Sequence, residues 1–488
     1  MAQNPQLLEG LAVHILSGLT RGPRAPLTEE ERKEMKIKSK WLSIFLVLGL
    51  VLAACGGDGE ETTTTAGGEA TTTTEDMGEA TTTTEDMNEP MDIATDVGVD
   101  LDAGTITVGL LSDLTGPFGP LVTAIVAGHN AYWGQVNATG GINGLMVQLE
   151  TVDTVYDVTN HVQFYEELKG QVVAFGHSTG SPHTVAITDA LEADGILAIP
   201  LTWYSGWTDP AINANLVPHG APYCIEAMNL IEYMVGESGI DSPTIAIASI
   251  PGDYGLDSAA GAVLAAEALG LEVVYDGIGQ VIPNDETTYD EVASGIAGSG
   301  ADLVFYTATP GAFSAVYGRA IAAGFTAMWS GASPSWNPAS VAEESAIREA
   351  IARDFVGSSY YEPWDGTSDG AANVRDVMTA AGAPPTDYYG EGFIEASILH
   401  QALLAAYDNG DMTQAGVLAA AKSLTSVEFD GLGPTETFTG EPNDIVQRVQ
   451  WITRPSLDSE TGTMIVESNY TSDIAAAFEF TGACYVIG

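Results

Sequence analysis

The chain has 488 residues, 45% of them hydrophobic, which is enough for a globular body with more than one domain. Its 66 Asp and Glu residues outnumber 15 Lys and Arg residues, so the formal net charge is −51. Nucleic-acid binding needs a basic face and is therefore excluded. Three cysteines are too few for a disulfide scaffold or a zinc ribbon, and no His, Cys or Asp grouping has metal-ligand spacing. We expect no metal and no cofactor.

The N-terminal part has the pattern of an export signal. Three lysines precede the apolar run Trp41–Ala54, which is shorter than the ~20 residues of a membrane-spanning helix. The run ends in Leu-Ala-Ala-Cys, which resembles the bacterial lipobox, in which the cysteine is lipidated and becomes the first mature residue. We expect residues 1–34 to be a mis-assigned extension and residues 35–54 to be the signal peptide. Lipid on Cys55 would then hold the protein at the outer face of the bacterial cytoplasmic membrane.

Residues 55–103 contain an imperfect repeat of Thr, Gly and acidic residues: TTTTAGGEA, TTTTEDMGEA and TTTTEDMNEP. The repeat has no apolar period, so it cannot bury enough surface to fold. The sequence predicts a flexible tether between the lipid anchor and a folded body.

From residue 104, apolar strand-like runs alternate with helical segments in the order of βαβ units. One series begins at Ile106–Leu114 and a second at Thr244–Ile250. This pattern predicts an α/β fold with two doubly wound parallel-sheet lobes joined by a three-crossing hinge. The predicted boundaries are 104–222 plus 357–428 for lobe I, and 223–356 plus 429–488 for lobe II.

The segment Val172–Thr184, VVAFGHSTGSPHT, reads as a strand, a hydroxyl-rich loop and a helix start. Ligands of parallel sheets bind at the carboxyl ends of strands, where Ser178, Thr179 and Ser181 lie. GHSTG also fits G-x-S-x-G, the nucleophile elbow of α/β-hydrolases. A nucleophile needs a base and an orienting acid, and no HGGG-type oxyanion motif is present. A ligand cradle and a secreted serine hydrolase stay open as interpretations.

Several segments in sequence order carry a resemblance to a known family: ITVGLLSDLTGPFGP, NATGGINGLMVQLETVDT, GHSTGSPHTVA, GDYG and FDGLGPTETF. From about Ile106 to Val466 the chain is similar to the solute-binding proteins of ABC transporters, of the branched-chain amino acid and amide class, which have the type I periplasmic-binding fold. The resemblance implies a monomeric, non-enzymatic, extracytoplasmic receptor. Its lobes close on a small polar ligand, such as an amino acid or amide, and deliver it to permease and ATPase subunits. A ligand sensor of the same fold stays open.

The resemblance also implies ligand contacts by position. They are Ser178, Thr179, Ser181, Trp203, Tyr204, Ser205, Tyr254, Tyr306, Trp336 and Tyr389. Amino-acid binders of the family place an acid after the strand that matches FTAMWS, to pair with the ligand ammonium. Here that region reads GASPSWNP without an acid, which leaves the ligand class open. Outside the cell, Cys224 and Cys484 can meet as a disulfide, although the sequence does not fix the pairing.

Overall fold

The computed structural model describes residues 93–209 and 211–487. These residues belong to a compact unit, Asp86–Gly488. The predicted signal peptide, Cys55 and most of the predicted tether lie outside the described residues.

The strands, numbered in chain order, are β1 (Ala94–Thr95), β2 (Val99–Asp100), β3 (Thr105–Ser112), β4 (Met146–Asp153), β5 (Ala174–Thr179), β6 (Ala198–Leu201), β7 (Thr244–Ser249), β8 (Glu272–Gly277), β9 (Leu303–Thr307), β10 (Met328–Ser330), β11 (Gly357–Ser359), β12 (Asp411–Met412), β13 (Gln450–Pro455) and β14 (Thr463–Tyr470). The α-helices are α1 (Gly119–Ala138), α2 (Val158–Leu168), α3 (Ser181–Val185), α4 (Thr188–Asp194), α5 (Tyr223–Ser238), α6 (Asp253–Leu269), α7 (Glu286–Ser299), α8 (Pro310–Ala322), α9 (Arg348–Asp354), α10 (Asp369–Ala380), α11 (Tyr389–Asp408), α12 (Gln414–Lys422), α13 (Pro442–Ile445) and α14 (Asp473–Ala477).

Two parallel sheets form the core of the fold. In the first, β4, β3, β5 and β6 run parallel, and β2 pairs antiparallel with β3. In the second, β8, β7, β9 and β10 run parallel. The central strands are buried almost throughout, as expected for parallel sheets covered by helices on both faces. The predicted α/β fold with two parallel sheets is confirmed.

A third, antiparallel sheet joins β11, β13 and β14. β11 lies at the crossing predicted at residues 356–357, whereas β13 and β14 lie beyond the last predicted crossing, at residues 428–429, and their pairing was not predicted. The predicted lobe boundaries themselves stay a prediction.

The first strands lie earlier in the chain than predicted. β1 and β2 lie within the segment assigned to the tether, where β1 pairs with β12 and Val99 of β2 pairs with Ile106. Val99 is buried, so the last residues of the predicted tether pack against the start of β3. After β5 the chain forms two short helices, α3 and α4. The chain enters α3 through Gly180 at φ 96°, a conformation that glycine adopts without strain.

Helices α1 and α11 pack closely, and this contact positions the start of α11 beside the end of β5. A Cβ atom on Gly392 would lie 2.1 Å from the carbonyl oxygen of Ile125, and one on Gly128 would lie 2.5 Å from that of Tyr389. Only glycine permits this approach of the two backbones. The close contact brings the acidic residues of the first turns of α11 against the first sheet.

The structure joins Cys224, in the first turn of α5, to Cys484 in a disulfide. The bond ties the C-terminal tail to the second half of the fold. Within residues 93–209 and 211–487, no helix combines the length and the apolar character that crossing a membrane requires.

Candidate ligand-binding site

The loop after β5 is shaped by an irregularity in the sheet. The register between β5 and its neighbours shifts near Gly109 and between Phe175 and Ser178. Strict alternation would place His177 on the same face as Phe175. The irregularity instead turns His177 towards α11, where its Nδ1 lies 2.8 Å from Glu395, and turns Ser178 towards α2.

A cavity of ≈ 90 Å³ lies between the carboxyl end of the first sheet, the start of α6 and the loop after β10. Most of its wall is aromatic or aliphatic, and its polar groups are few. Main aromatic contributors are Phe118, Tyr156, Trp203, Tyr223, Tyr254 and Tyr360. A concave, mostly apolar space with a small number of polar groups is typical of small-molecule sites. We call it the central cavity.

Four of the predicted ligand contacts line the central cavity: Thr179, Trp203, Tyr254 and Trp336. They come from β5, the loop after β6, the first turn of α6 and the loop after β10, so both parallel sheets contribute. The hydroxyl of Thr179 is 2.7 Å from Nε2 of His177. Thr179 and Trp336 are 157 positions apart in the sequence (336 − 179), and the structure brings both to the central cavity.

Ser178 and Ser181 do not line the central cavity. Both are buried, and both are engaged by neighbouring side chains. Ser178 contacts Nε2 of His161 at 3.1 Å and the hydroxyl of Thr184 at 2.8 Å, and Ser181 contacts the hydroxyl of Thr202.

The aromatic and hydroxyl residues after Trp203 also face elsewhere. Tyr204 donates a hydrogen bond to the carbonyl of Tyr485, and Ser205 donates from its backbone and side chain to Asp257. Burial raises the pKa of Asp257 to about 7, although these hydrogen bonds oppose the shift. Tyr204 and Ser205 thus hold the C-terminal tail in place.

The last two predicted contacts are packing residues in the structure. The Tyr306 hydroxyl donates to the carbonyl of Ala312, and its ring stacks on Phe313 in the core of the second sheet. The Tyr389 hydroxyl donates to the carbonyl of Pro384 at the start of α11. Neither lines the central cavity.

The chain matches the sequence model of a protein family described as "Periplasmic binding protein" over residues 105–454. The chain belongs to this family. The predicted family is confirmed, and with it the interpretation as a solute-binding protein of ABC transporters rather than a serine hydrolase. The family implies an extracytoplasmic location, and such proteins bind small ligands and permease partners. No curated protein shows significant sequence similarity to the chain.

Solved structures of ABC transporter components share the fold. A fatty acid ABC transporter substrate-binding protein from Thermomonospora curvata is 25% identical, with a TM-score of 0.72, and the match covers 79% of this chain and 97% of that one. A branched-chain amino acid ABC transporter protein from Thermus thermophilus with bound valine is 18% identical, with a TM-score of 0.64 and 76% and 97% coverage. A branched-chain amino acid transporter substrate-binding protein from Streptococcus pneumoniae with isoleucine is 14% identical, with a TM-score of 0.61 and 74% and 99% coverage. The last two show the fold alone.

The geometry of Ser178 in this periplasmic binding protein differs from that of a hydrolase nucleophile. His161 is close enough to act as a base, but burial lowers its pKa to about 3. Nδ1 of His161 has no hydrogen-bond partner among the described residues, so the acid that orients the base in a triad is missing there. Ser178 is also fully buried outside the central cavity, where a substrate could not reach it.

Sequence reasoning missed most of the tyrosines of the binding protein's central cavity. Tyr360 stacks on Trp203 with ring centroids 4.1 Å apart and donates a hydrogen bond to the buried Glu226. Tyr361 and Tyr388 complete the same wall. The run SSYYEP at residues 358–363 was the sequence signal that could have predicted these tyrosines, because polar and aromatic residues there interrupt a buried strand.

Acidic residues reach the central cavity from α11 and the turn before it, and not from the loop after β10. Asp387 and Glu391 both line it. Burial raises the pKa of Asp387 to about 6. Burial, together with the charges of Glu395 and Glu436, also raises the pKa of Glu391. The loop after β10, where amino-acid binders of the family place an acid, has none in this chain. The carboxyl groups at the central cavity come instead from α11 and the turn before it.

Behind the cavity wall, buried histidines and glutamates form a connected cluster. His129 and His177 both contact Oε2 of Glu395, at 2.9 Å and 2.8 Å. The contacts of Glu395 with the histidines hold its pKa well below the usual range. They outweigh burial, which by itself would raise this pKa. An ionised carboxylate only accepts, so both histidines donate to it. Nε2 of His177 lies 2.7 Å from the hydroxyl of Thr179, so the cluster reaches the wall of the central cavity through Thr179.

Proposed function

We propose that this protein captures a small ligand in the central cavity and delivers it to the permease of an ABC importer. The observation that carries the proposal is the cavity itself, which is walled by residues of both parallel sheets. Thr179, Trp203, Tyr254 and Trp336 are the proposed ligand contacts. Closure of the two lobes over the ligand by a hinge fits the crossings of the chain between the sheets. A micromolar dissociation constant would need about −8 kcal/mol.

The wall chemistry favours a ligand with an apolar body and a carbonyl or amine group. No Lys, Arg or His side chain lines the central cavity among the described residues. The carboxyl groups of Asp387 and Glu391 would repel an anion when ionised and would donate to a carbonyl when protonated. An apolar amino acid or an amide meets these requirements, with its polar end between Thr179 and the carboxyl groups and its side chain against Trp203.

A longer aliphatic ligand is the second candidate, and one observation favours it. An outer groove of ≈ 560 Å³ shares Phe118, Tyr156 and Tyr254 with the central cavity. Movement of these rings would connect the two spaces. The relative from Thermomonospora curvata is a fatty acid substrate-binding protein, and it has the highest of the identities quoted above.

The proposed location is the outer face of the cytoplasmic membrane, through lipid on Cys55. The sequence Leu-Ala-Ala-Cys after an apolar run supports this proposal. A tether between Cys55 and the first strands would allow the folded body to lie away from the membrane surface. We propose that the protein is monomeric and non-catalytic. A sensor would use the same cavity and differ in its membrane partner, so co-purification with permease subunits distinguishes the two roles.

A ligand screen tests the proposal. Purified protein is mixed with amino acids, amides, amines and fatty acids of graded chain length, and the melting temperature is measured. A binder raises it in proportion to RT ln(1 + [L]/Kd). Affinity is then measured by calorimetry. If none of these classes shifts the melting temperature, the proposed ligand capture is not supported.

Two threonines on either side of Gly180, one in β5 and one in α3, provide a matched pair of variants. Thr179→Val removes the hydroxyl of a residue that lines the central cavity, whereas Thr184→Val removes one that contacts Ser178 behind it. We expect Thr179→Val to weaken binding about 10-fold, as for one lost hydrogen bond, and Thr184→Val to leave affinity unchanged. Equal effects of the two substitutions would show that the ligand does not reach the central cavity wall at β5.

A further inference from the structure

Three buried side-chain atoms converge beside the central cavity without hydrogen-bond partners among the described residues. They are Nε2 of His219, a carboxylate oxygen of Glu391 and Oε1 of Glu395. His219 lies just before α5, and the two glutamates lie one turn apart on α11. All three side chains are at most 2% exposed. Native proteins rarely leave so many buried polar atoms unpaired at one place.

The distances between these atoms fit a shared metal ion. Nε2 of His219 is 3.4 Å from Oε1 of Glu391 and 3.9 Å from Oε1 of Glu395. Two ligand atoms at about 2.1 Å from a tetrahedral zinc ion are about 3.4 Å apart. The contacts are longer than a charge-assisted hydrogen bond of about 2.8 Å, so direct pairing satisfies these atoms poorly.

The rest of the cluster orients Glu395 for this role. Its Oε2 accepts hydrogen bonds from both His129 and His177, so its Oε1 is the oxygen left to face His219. Outer contacts that fix a coordinating carboxylate are a regular feature of metal sites. The neighbouring Glu436 is held separately, because its Oε1 accepts the backbone N–H of Gly220.

The charges of the cluster accommodate either a cation or a proton on His219. In the described part of the chain, the basic side chains within 4 Å of Glu391 and Glu395 are histidines, with no lysine or arginine. Buried carboxylates need either an opposite charge or a proton. A divalent ion supplies two positive charges at the point where the unpaired atoms meet.

We propose that His219, Glu391 and Glu395 bind a divalent transition-metal ion of the zinc type on the wall of the central cavity. One imidazole nitrogen and two carboxylates are ligands that zinc accepts, whereas magnesium and calcium sites use oxygen alone. Because Glu391 also lines the central cavity, the open coordination position lies next to the ligand space. A carbonyl, carboxylate or amine of a ligand is the chemical class that this position takes. The inference goes beyond solute capture and does not depend on the identity of the solute.

The test is a metal titration of the whole protein, prepared without a histidine tag and stripped with a chelator. Zn²⁺ binding is measured by calorimetry in excess Mg²⁺, which occupies the surface carboxylates of this acidic chain. Co²⁺ is added in parallel, because its visible absorption reports a four-coordinate site with nitrogen and oxygen ligands. We expect one equivalent of each metal to bind above the Mg²⁺ background, with a Co²⁺ spectrum that excess Zn²⁺ abolishes.

Substitutions locate the site. His219→Gln and Glu391→Gln are expected to lower Zn²⁺ affinity about 100-fold, and His129→Gln about 10-fold, because His129 only positions Glu395. His400→Gln is the control, since His400 contacts Tyr132 outside the cluster. Unchanged affinity in His219→Gln overturns the proposal. The proposal is also overturned if the wild-type protein binds neither metal above the Mg²⁺ background, and this outcome does not depend on whether the variants fold. In that case a proton shared by His219 and Glu391 satisfies the cluster.

Discussion

The buried carboxylate of Glu226 makes the stability of the protein depend on pH. It accepts hydrogen bonds from the backbone N–H of Ser333 at 2.9 Å, the Ser358 hydroxyl at 2.5 Å and the Tyr360 hydroxyl at 2.6 Å. Burial outweighs these three hydrogen bonds and raises the pKa of Glu226 from 4.5 to about 7. The folded protein therefore holds a proton on Glu226 over a pH range in which the unfolded chain has released it.

The sign and size of the effect follow from this difference. Because the pKa is raised on folding, the contribution of Glu226 to stability is complete below about pH 4.5 and is lost as the pH rises through about 7. The interval from 4.5 to about 7 corresponds to about 3 kcal/mol of unfolding free energy. Glu226→Gln keeps an oxygen that accepts from Ser333 and Ser358 but has no proton to lose, so it removes this dependence.

Urea unfolding between pH 4.5 and pH 8 measures the effect. Relative to Glu226→Gln, the wild type is expected to lose about 3 kcal/mol of unfolding free energy across this range. Glu291→Gln, on the exposed side of α7, is the control and should follow the wild type at every pH. If the difference between wild type and Glu226→Gln is the same at pH 5 and pH 8, then burial does not hold the proton on Glu226 and the reasoning is refuted.

Three further predictions concern the site, the tail and the anchor. Trp203→Ala removes the ring that stacks on Tyr360, and we expect calorimetry to show at least about a 10-fold loss of ligand affinity. Cys224→Ser opens a bond between residues 260 positions apart, so chemical unfolding should show a loss of about 5 kcal/mol. Cys55→Ser should move the protein from the membrane fraction to the soluble fraction, because one cysteine carries the proposed lipid.

Each of these predictions has its own control. Trp207→Ala removes a buried tryptophan that does not line the central cavity, and it should keep the ligand affinity. Reduced wild type should unfold like Cys224→Ser, and an unfolding curve of Cys224→Ser that equals that of the oxidised wild type would contradict the prediction. Mass spectrometry of the mature N-terminal peptide should show acyl chains on Cys55, and an unmodified peptide would refute the anchor.

The order of strands and helices could be predicted because local patterns encode it. β3 and β7 were expected from the apolar runs Ile106–Leu114 and Thr244–Ile250, and the structure has strands at Thr105–Ser112 and Thr244–Ser249. The antiparallel sheet could not be predicted in this way. β11 and β13 are about 90 residues apart, and their pairing depends on how the crossings meet after both parallel sheets have formed.

The site was predicted in part, and the irregularity in the register of β5 explains the main difference. The motif GHSTG placed hydroxyl groups at the end of the strand, but it did not show which of them face the cavity. A shift of one residue exchanges the two faces of a strand, so Ser178 points to α2 and Thr179 reaches the cavity. The contribution of Glu391 was equally hidden, because it depends on the close glycine contact between α1 and α11.

The C-terminal part of the chain limits where the protein can be truncated. The family match ends at residue 454, yet β14 follows it and pairs with β13, and Thr463 lines the central cavity. Further on, Cys484 is bonded to α5 and Tyr485 donates to Asp257. A chain shortened to the family boundary would lose a sheet edge, part of the cavity wall and the disulfide together. Residues 455–487 are therefore as integral to the receptor as the matched region.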